Sequence, residues 1–484
     1  MLIAVLAAVS VIALFVVARQ LRQRHLIWDA GTVFILVLGW AALIPVVLNK
    51  LSDGVMHSWN YWGELVEVPI PVDPRVQSAL QYVIIGASLL LLWRSVRDAD
   101  TWRISLFGIA VMGTSFVAMA VDTSAYDSII KGQPMVLLVV LVAASFATPS
   151  REGAITGGAL FTISVCATGA FLGLYAPDKV FMPCTDKCSL AGELYMAATP
   201  HSNTLGLITA IGIPFVWLAF KGPIRFWMLV YIGANLVVTG SRTSMFAAAA
   251  TLVVLALTNP THTGGSIVGR HRAFLTLGVV TSTAVAMILP FTGQSDSFAT
   301  GRGYLWRIAV EQFEHTPFFG AGLTAWDRFY EAGEFGAAAA YSTHNQWLEL
   351  LLLAGVAGAV VFALGWAILV FGGDESRKFT VLPVLLTVAL LSSTERPLSI
   401  GLINTMTWVL VALVALSSEG RQGQGRQATA ATPSSNRSYR FMPAHGPSQS
   451  RTPDAGRTST PAASRLTTAV AMPGEVAIAP TVHL

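Results

Sequence analysis

Apolar residues in this chain come in long, nearly unbroken runs separated by short polar stretches. About thirteen runs stand out, at 2–18, 30–48, 77–93, 104–121, 133–149, 154–175, 203–220, 226–239, 244–258, 273–290, 345–371, 379–393 and 398–416. Most approach the ~20 residues a helix needs to cross a hydrocarbon core of ~30 Å. The pattern predicts an all-α, polytopic membrane protein of about 12–13 transmembrane helices. The first run has no basic stretch before it and no small-residue cleavage site after it, so it reads as a retained helix.

Composition agrees with that reading. The chain is 54% hydrophobic and 12% charged, against about 25% charged for a soluble domain, and its mean hydropathy is +0.62. The distribution of charge adds orientation. The alternate short loops RQLRQRH (19–25), RSVRDADTWR (94–103), PSREG (149–153), KGPIR (221–225), GRHR (269–272) and ESRK (375–378) are basic. With thirteen spans they share one face, which the positive-inside rule makes cytoplasmic. The long loops 49–76, 176–202 and 291–344 then lie on the outer face. Residues 1–419 form the membrane domain. The segment 420–484 is rich in Ser, Thr, Pro, Gly and Arg and carries seven arginines against two acids. It has too few large apolar residues to bury a core, so it reads as a disordered cytoplasmic tail. Contact with anionic lipid and a plain spacer are both open for it, the spacer being the plainer reading.

Cys184 and Cys188 form CTDKC in an outer loop, where a local disulfide is expected in an oxidising compartment. Two free thiols and half a metal site are the alternatives, but zinc usually needs four ligands. Cys166 lies inside an apolar run.

The outer loop 291–344 is the longest non-spanning stretch of the membrane domain, and long structured loops are usually functional. Within it, Leu305, Ile308, Ala309 and Phe313 mark an amphipathic helix that stops before Pro317. PFFGAG (317–322) reads as a turn, and LTAWDRFYEAGEF as a second short helix with aromatics at headgroup level. The loop ends in YSTHNQWLEL, where Thr343 and Gln346 fit a capping box. His344 would then sit in the first helical turn, where the helix field keeps it neutral and able to accept a proton, suited to a general base. A capping or interfacial histidine is the plainer alternative. Arg302, Arg307 and Arg242 are candidate anion binders, because the guanidinium fork donates two parallel hydrogen bonds to phosphate. The plainer readings are a snorkelling helix-end side chain for Arg242 and an ion pair with Glu311 for Arg307. Acids outnumber arginines in the loop, so these are not part of a general basic patch.

Taken in order, Arg302-Gly303-Tyr304-Leu305-Trp306, then Pro317-Phe318-Phe319-Gly320-Ala321-Gly322, then His344-Asn345-Gln346-Trp347-Leu348-Glu349 before a Gly-rich span, resemble the O-antigen ligase and O-antigen polymerase superfamily. TGSRTS (239–244) resembles that family's Ser-Arg signature, and HSNTLG (201–206) is a looser element. The resemblance covers about 230–370. It implies a GT-C-like glycosyltransferase of the bacterial inner membrane with its active loop extracytoplasmic. Such an enzyme moves a glycan from a polyprenyl-diphosphate donor to a hydroxyl on a lipid, glycan or protein acceptor. It implies no metal, no cofactor and no nucleic-acid partner. Direct displacement would invert the anomeric centre. His344 would be the base, and Arg242 and Arg302 would carry the catalytic charge. Arg307, Asn345, Trp306, Tyr304, His201 and Asn203 would contact substrate, although packing is the plainer role for Trp306 and Tyr304. Glu349 is expected to pair with a polar neighbour.

Other constellations do not hold together. Asp98-Ala99-Asp100 resembles the acidic motif of soluble glycosyltransferases but sits in a short cytoplasmic loop. GAFLG (169–173) reads as a helix-packing motif. The rival class is a transporter or flippase of a lipid-linked glycan. Those usually hold ionisable groups near the bilayer midplane or broken helices in paired repeats. Here the polar residues concentrate in one outer loop instead.

Overall fold

The computed structural model describes residues 1–52, 55–59, 65–69, 73–97, 104–122, 132–147, 149–184, 187–257, 266–332, 342–373 and 375–417. The chain divides into two units, Met1–Arg421 and Gln422–Leu484. The second unit, with the expected tail, lies outside the described residues, as does Asp98-Ala99-Asp100.

Each apolar run of the sequence appears as a helix. In chain order they are α1 Leu2–Arg22, α2 Ala30–Leu51, α3 Pro74–Arg97, α4 Leu106–Val121, α5 Gln133–Phe146, α6 Arg151–Tyr175, α7 Ser202–Ala219, α8 Gly222–Val237, α9 Arg242–Leu257, α10 Ser266–Ile288, α13 Gln346–Phe371, α14 Glu375–Leu391 and α15 Thr407–Ser417. The loop before α13 adds α11 Phe298–His315 and α12 Ala325–Glu331. Among the described residues seven helices are long and apolar enough to cross a membrane. Large apolar side chains such as Val5, Ile12, Phe15, Leu89, Trp93 and Leu277 face outward, as expected where lipid is the solvent. This is an all-α, multi-pass membrane protein. Among the described residues two short antiparallel ladders, Val55–Trp59 with Leu65–Pro69 and Phe181–Met182 with Leu194–Tyr195, lie in its loops.

Small residues let the central helices approach. Along α6, a Cβ on Gly157 would lie 3.0 Å from the Ile35 side chain and one on Gly158 would lie 2.7 Å from the Phe215 ring. The GAFLG motif serves packing as expected: Gly169 faces Ala197 and Gly173 faces Ile3 and Val180. Every residue of α15 is buried, which is how a helix apolar on all sides behaves. That helix is shorter than the run 398–416. Pro397 lacks the N–H a helix interior needs, and Asn404 opens the helix instead, its Oδ1 accepting Met406 N–H at 2.8 Å. Residues 392–406 therefore form an irregular connection. Its buried backbone is met by side chains, as in Leu398 N–H donating to Gln346 Oε1 at 2.9 Å.

The mouth of α13 depends on an interruption further along it. Gly355 leaves helical geometry at φ 62°, ψ −166°. The PFFGAG turn fills the break: Ala321 and Gly322 N–H donate to the Leu352 and Leu353 carbonyls at 2.7 and 3.1 Å. Val356 and Ala357 N–H donate to the Pro317 and Phe318 carbonyls at 2.8 and 2.9 Å. The backbone groups lost by the broken helix are thus re-satisfied by the loop, a requirement at membrane depth. Gly320 passes so close that a Cβ there would be 2.5 Å from Gly355 N.

Candidate functional site

The expected capping box is not the one that forms. Asn345 is the N-cap of α13, its Oδ1 accepting the Trp347 and Leu348 N–H groups at 3.0 and 2.9 Å. Asn is as good a cap as Thr. Thr343 instead makes a local turn, its hydroxyl donating to Asn345 O at 2.7 Å. His344 therefore stands just before the helix, not in its first turn. Its φ of 50° is left-handed, uncommon for a residue with a side chain and often found at functional sites.

Two elements fix that turn. Trp306 of α11 is buried, and its Nε1–H donates to Thr343 O at 2.7 Å. Asn345 is fully buried, and its Nδ2 donates to Ala286 O at 2.8 Å and Ser393 O at 3.1 Å. Substrate contact was the expectation for Asn345, and packing the plainer one for Trp306; with these polar groups bonded inside the protein, both hold the His344 turn. Gly303 has its own reason: a Cβ there would lie 1.9 Å from Ser295 O.

The histidine faces a carboxylate that the sequence pattern does not reveal. His344 Nδ1 lies 3.2 Å from Glu395 Oε2, with His344 39% exposed and Glu395 6%. The other oxygen, Oε1, accepts from Arg302 Nη2, and Arg302 is 12% exposed. Burial alone would raise the Glu395 carboxyl, but the His344 hydrogen bond and the Arg302 charge hold it below its ordinary range. The carboxylate therefore accepts, His344 donates from Nδ1, and the Nε2 lone pair is left to take a proton. A second buried carboxylate supports the same turn. Glu349 accepts Thr343 N–H at 2.9 Å and pairs with Arg396 at 2.8 Å.

The remaining candidates divide. His201 caps α7, its Nδ1 accepting Asn203 N–H at 3.1 Å. Burial, then the charge of Lys187, lower His201 to about 4, while Glu395 pulls the other way and His344 adds to the lowering. His201 is thus within electrostatic reach of the Glu395–His344 pair. Asn203 Oδ1 accepts from Lys187 Nζ. Arg242 opens α9 with its side chain exposed. Its neighbour Thr243 accepts a hydrogen bond from Thr394 at 3.0 Å, which sets the Ser-Arg segment beside the Glu395 connection. Arg307 points elsewhere. It pairs with Asp296, with two contacts of 3.2 Å, and not with Glu311, because residues 292–297 fold back along α11. Its guanidinium covers the Tyr304 ring at 5.2 Å. Two of the aromatics expected at headgroup level are enclosed by the protein. Trp326 and Phe329 are buried, and the Thr324 hydroxyl before them donates to Asp122 at 2.7 Å. Cys184 and Cys188 are joined as a disulfide.

The bundle and its polar mouth define a multi-pass membrane protein with an acid–base pair at the start of one broken helix. Residues 227–363 match the family described as O-Antigen ligase, close to the 230–370 expected from the motifs. Through this segment the chain is similar to the O-antigen ligase and polymerase superfamily. The Exopolysaccharide production protein ExoQ of Rhizobium meliloti (strain 1021) is 27% identical over 203 residues, which cover 37% of this chain and 46% of that protein. The chain thus spans about half the length of this curated relative. Arg242, Arg302 and His344 fall inside the matched segment, whereas Glu395, His201 and Lys187 lie outside it.

Proposed function

We propose that this protein is a glycosyltransferase that moves a glycan from a polyprenyl-diphosphate carrier to an acceptor hydroxyl at the outer face of the bacterial inner membrane. The observation that carries the reading is the Arg302–Glu395–His344 cluster, with Nδ1 of His344 on the carboxylate and the side chain 39% exposed. His344 removes the acceptor's proton as its oxygen attacks the sugar C1. The C1–O bond to the diphosphate breaks, and the leaving charge is met by Arg242 and by the N–H donors of Arg302 not held by Glu395. Displacement from the opposite side inverts the anomeric centre. No step calls for a metal. The basic short loops support a reacting face outside and a tail inside. The family segment supports a ligase or polymerase, and the relative's part in exopolysaccharide production favours growth of a polysaccharide chain.

The test is transfer by purified protein in detergent, with an extracted polyprenyl-diphosphate glycan, a panel of acceptors and EDTA. Product that tolerates EDTA and is lost in His344→Ala supports the reading, and a ladder of products identifies a polymerase. Normal transfer by His344→Ala removes the base, and no transfer by the unaltered protein removes the enzyme.

A further inference from the structure

The connection after α14 runs beside the start of α13 and is stitched to it. Gln346 N–H donates to Ser392 O at 3.1 Å, and Asn345 Nδ2 donates to Ser393 O at 3.1 Å. His344 Nδ1 meets Glu395 Oε2 at 3.2 Å. The two stretches therefore pass in opposite directions, and the contacts reach the imidazole in order. Arg396 follows Glu395 directly and turns to a different partner. Its Nη1 donates to Glu349 Oε1 at 2.8 Å.

Glu349 extends the reach of that contact. Its second oxygen accepts Thr343 N–H at 2.9 Å. Thr343 is buried and precedes the helix, so its N–H needs an acceptor from a side chain. An amide would serve that N–H alone. A buried carboxylate needs a counter-charge as well, and Arg396, half-buried, supplies it. Thr343 is thus held at its N–H by Glu349 and at its carbonyl by Trp306. The residue that follows is His344, left-handed at φ 50°, a conformation that persists only where its surroundings over-determine it. Glu395 and Arg396 also share one peptide unit, so anchoring the arginine steadies the carboxylate beside it.

We propose that Arg396 is a positioning residue for the base. Through Glu349 it holds the turn that presents His344, and through the backbone it shares with Glu395 it sets the carboxylate against the imidazole. The proposal rests on the glycosyl-transfer reading above and adds to it a residue outside the family segment.

The experiment uses the full-length protein in detergent, with the extracted polyprenyl-diphosphate glycan as donor. It compares Arg396→Gln, Arg396→Lys, Glu349→Gln and the double variant Glu349→Gln/Arg396→Gln, with kcat taken per folded protein after size-exclusion chromatography. Misplacing a catalytic group by about 1 Å costs up to about 10²-fold, so Arg396→Gln should lower kcat by about 10–100-fold with donor KM changed less than about threefold. Arg396→Lys keeps the charge and should recover most of the rate. In Glu349→Gln an NH₂ faces one of two donors, Thr343 N–H or Arg396. The double variant removes that conflict, because the amide oxygen at 349 accepts Thr343 N–H while its NH₂ donates to the amide oxygen at 396. It should therefore transfer faster than either single Gln variant, a non-additivity expected only of coupled residues. A pair that served stability alone would leave kcat per folded protein unchanged, and that result in both single Gln variants overturns the proposal. So does a raised donor KM at constant kcat, which would put Arg396 on the substrate. So does a double variant slower than both single ones, which would make the two residues independent. Where Arg396→Gln does not fold, the double variant against Glu349→Gln still decides. Amide hydrogen exchange over residues 342–346, read by mass spectrometry, should rise in Arg396→Gln and recover in the double variant. If the unaltered protein transfers nothing, the functional reading fails on its own, and the exchange still shows whether Arg396 holds the turn.

Discussion

Glu395→Gln is the change that tests the site most directly, because it preserves shape and removes charge. In the native cluster Oε1 serves Arg302 and Oε2 serves His344. A glutamine has one oxygen and one NH₂. Arg302 can only donate, so the amide oxygen must turn to it. The NH₂ then faces His344 Nδ1, and two donors cannot share that contact. His344 must accept there, which moves its proton to Nε2 and removes the lone pair that takes the acceptor's proton. General-base catalysis is worth about 10²–10⁴-fold, so kcat should fall by that range with donor KM changed far less. The fold should persist. Arg302 keeps a neutral partner for its buried charge, and the cost should be about 2 kcal/mol, below the ~3–5 for deleting one member of a buried pair outright. The assay is the rate of glycan transfer against pH for both proteins, with thermal unfolding in detergent as a control. A variant with kcat within about threefold of the native value and the same pH–rate profile would refute the reasoning, because His344 would then not owe its tautomer to Glu395.

Asn345→Ala removes a helix cap, worth about 1 kcal/mol, and leaves the Ala286 and Ser393 carbonyls without their amide donor, at about 1–3 kcal/mol. Thermal unfolding should show a loss of about 2–4 kcal/mol, with a lower kcat as the His344 turn loosens. Gly320→Ala puts a Cβ 2.5 Å from Gly355 N at φ +79°, whereas Gly233 has nothing within 4 Å of its added Cβ. Size-exclusion chromatography should find Gly320→Ala aggregated or absent and Gly233→Ala native. His201 stays neutral in the fold down to about 4, against its ordinary 6.5. Its contribution is complete above about 6.5 and is lost as pH falls toward about 4, a total near 3 kcal/mol. Glu395 works in the same direction below the ordinary carboxylate range. A His201→Gln variant should lose the first of these two slopes in a series of unfolding measurements from pH 7 to pH 4.

The helices were legible in the sequence because a membrane helix needs only sustained apolarity, and no tertiary information enters that requirement. The cap of α13 was less so. Thr343 and Asn345 are both good capping residues two positions apart. What favours Asn345 is a pair of distant carbonyls, Ala286 and Ser393, that its NH₂ can reach. The same distance hid Glu395. Its partners lie 51 and 93 residues away, and Thr-Glu-Arg-Pro (394–397) is only the short gap between two apolar runs. One signal was available there: an acid next to an arginine at the edge of apolar sequence is costly unless paired, and so marks a site. Trp306 and Asn345 are both buried, and the motif alone does not separate a residue that holds the His344 turn from one that touches substrate.

The pairing of charges explains why the site is built on a broken helix. Glu349 is buried inside α13 and is matched by Arg396, while Glu395 is matched by Arg302 and hydrogen-bonded to His344. Both carboxylates thus have a guanidinium partner, which is the condition for holding them in so apolar a bundle. Arg242, exposed at the start of α9, stands on another element, where an incoming diphosphate would supply the opposite charge. The irregular backbone that makes room for this arrangement, at 317–322 and around Gly355, keeps its hydrogen bonds by exchanging them between loop and helix. Polar chemistry at the end of an apolar helix therefore requires the glycines of PFFGAG as much as it requires His344. A substitution at Gly320 should abolish the site without touching any residue that carries charge.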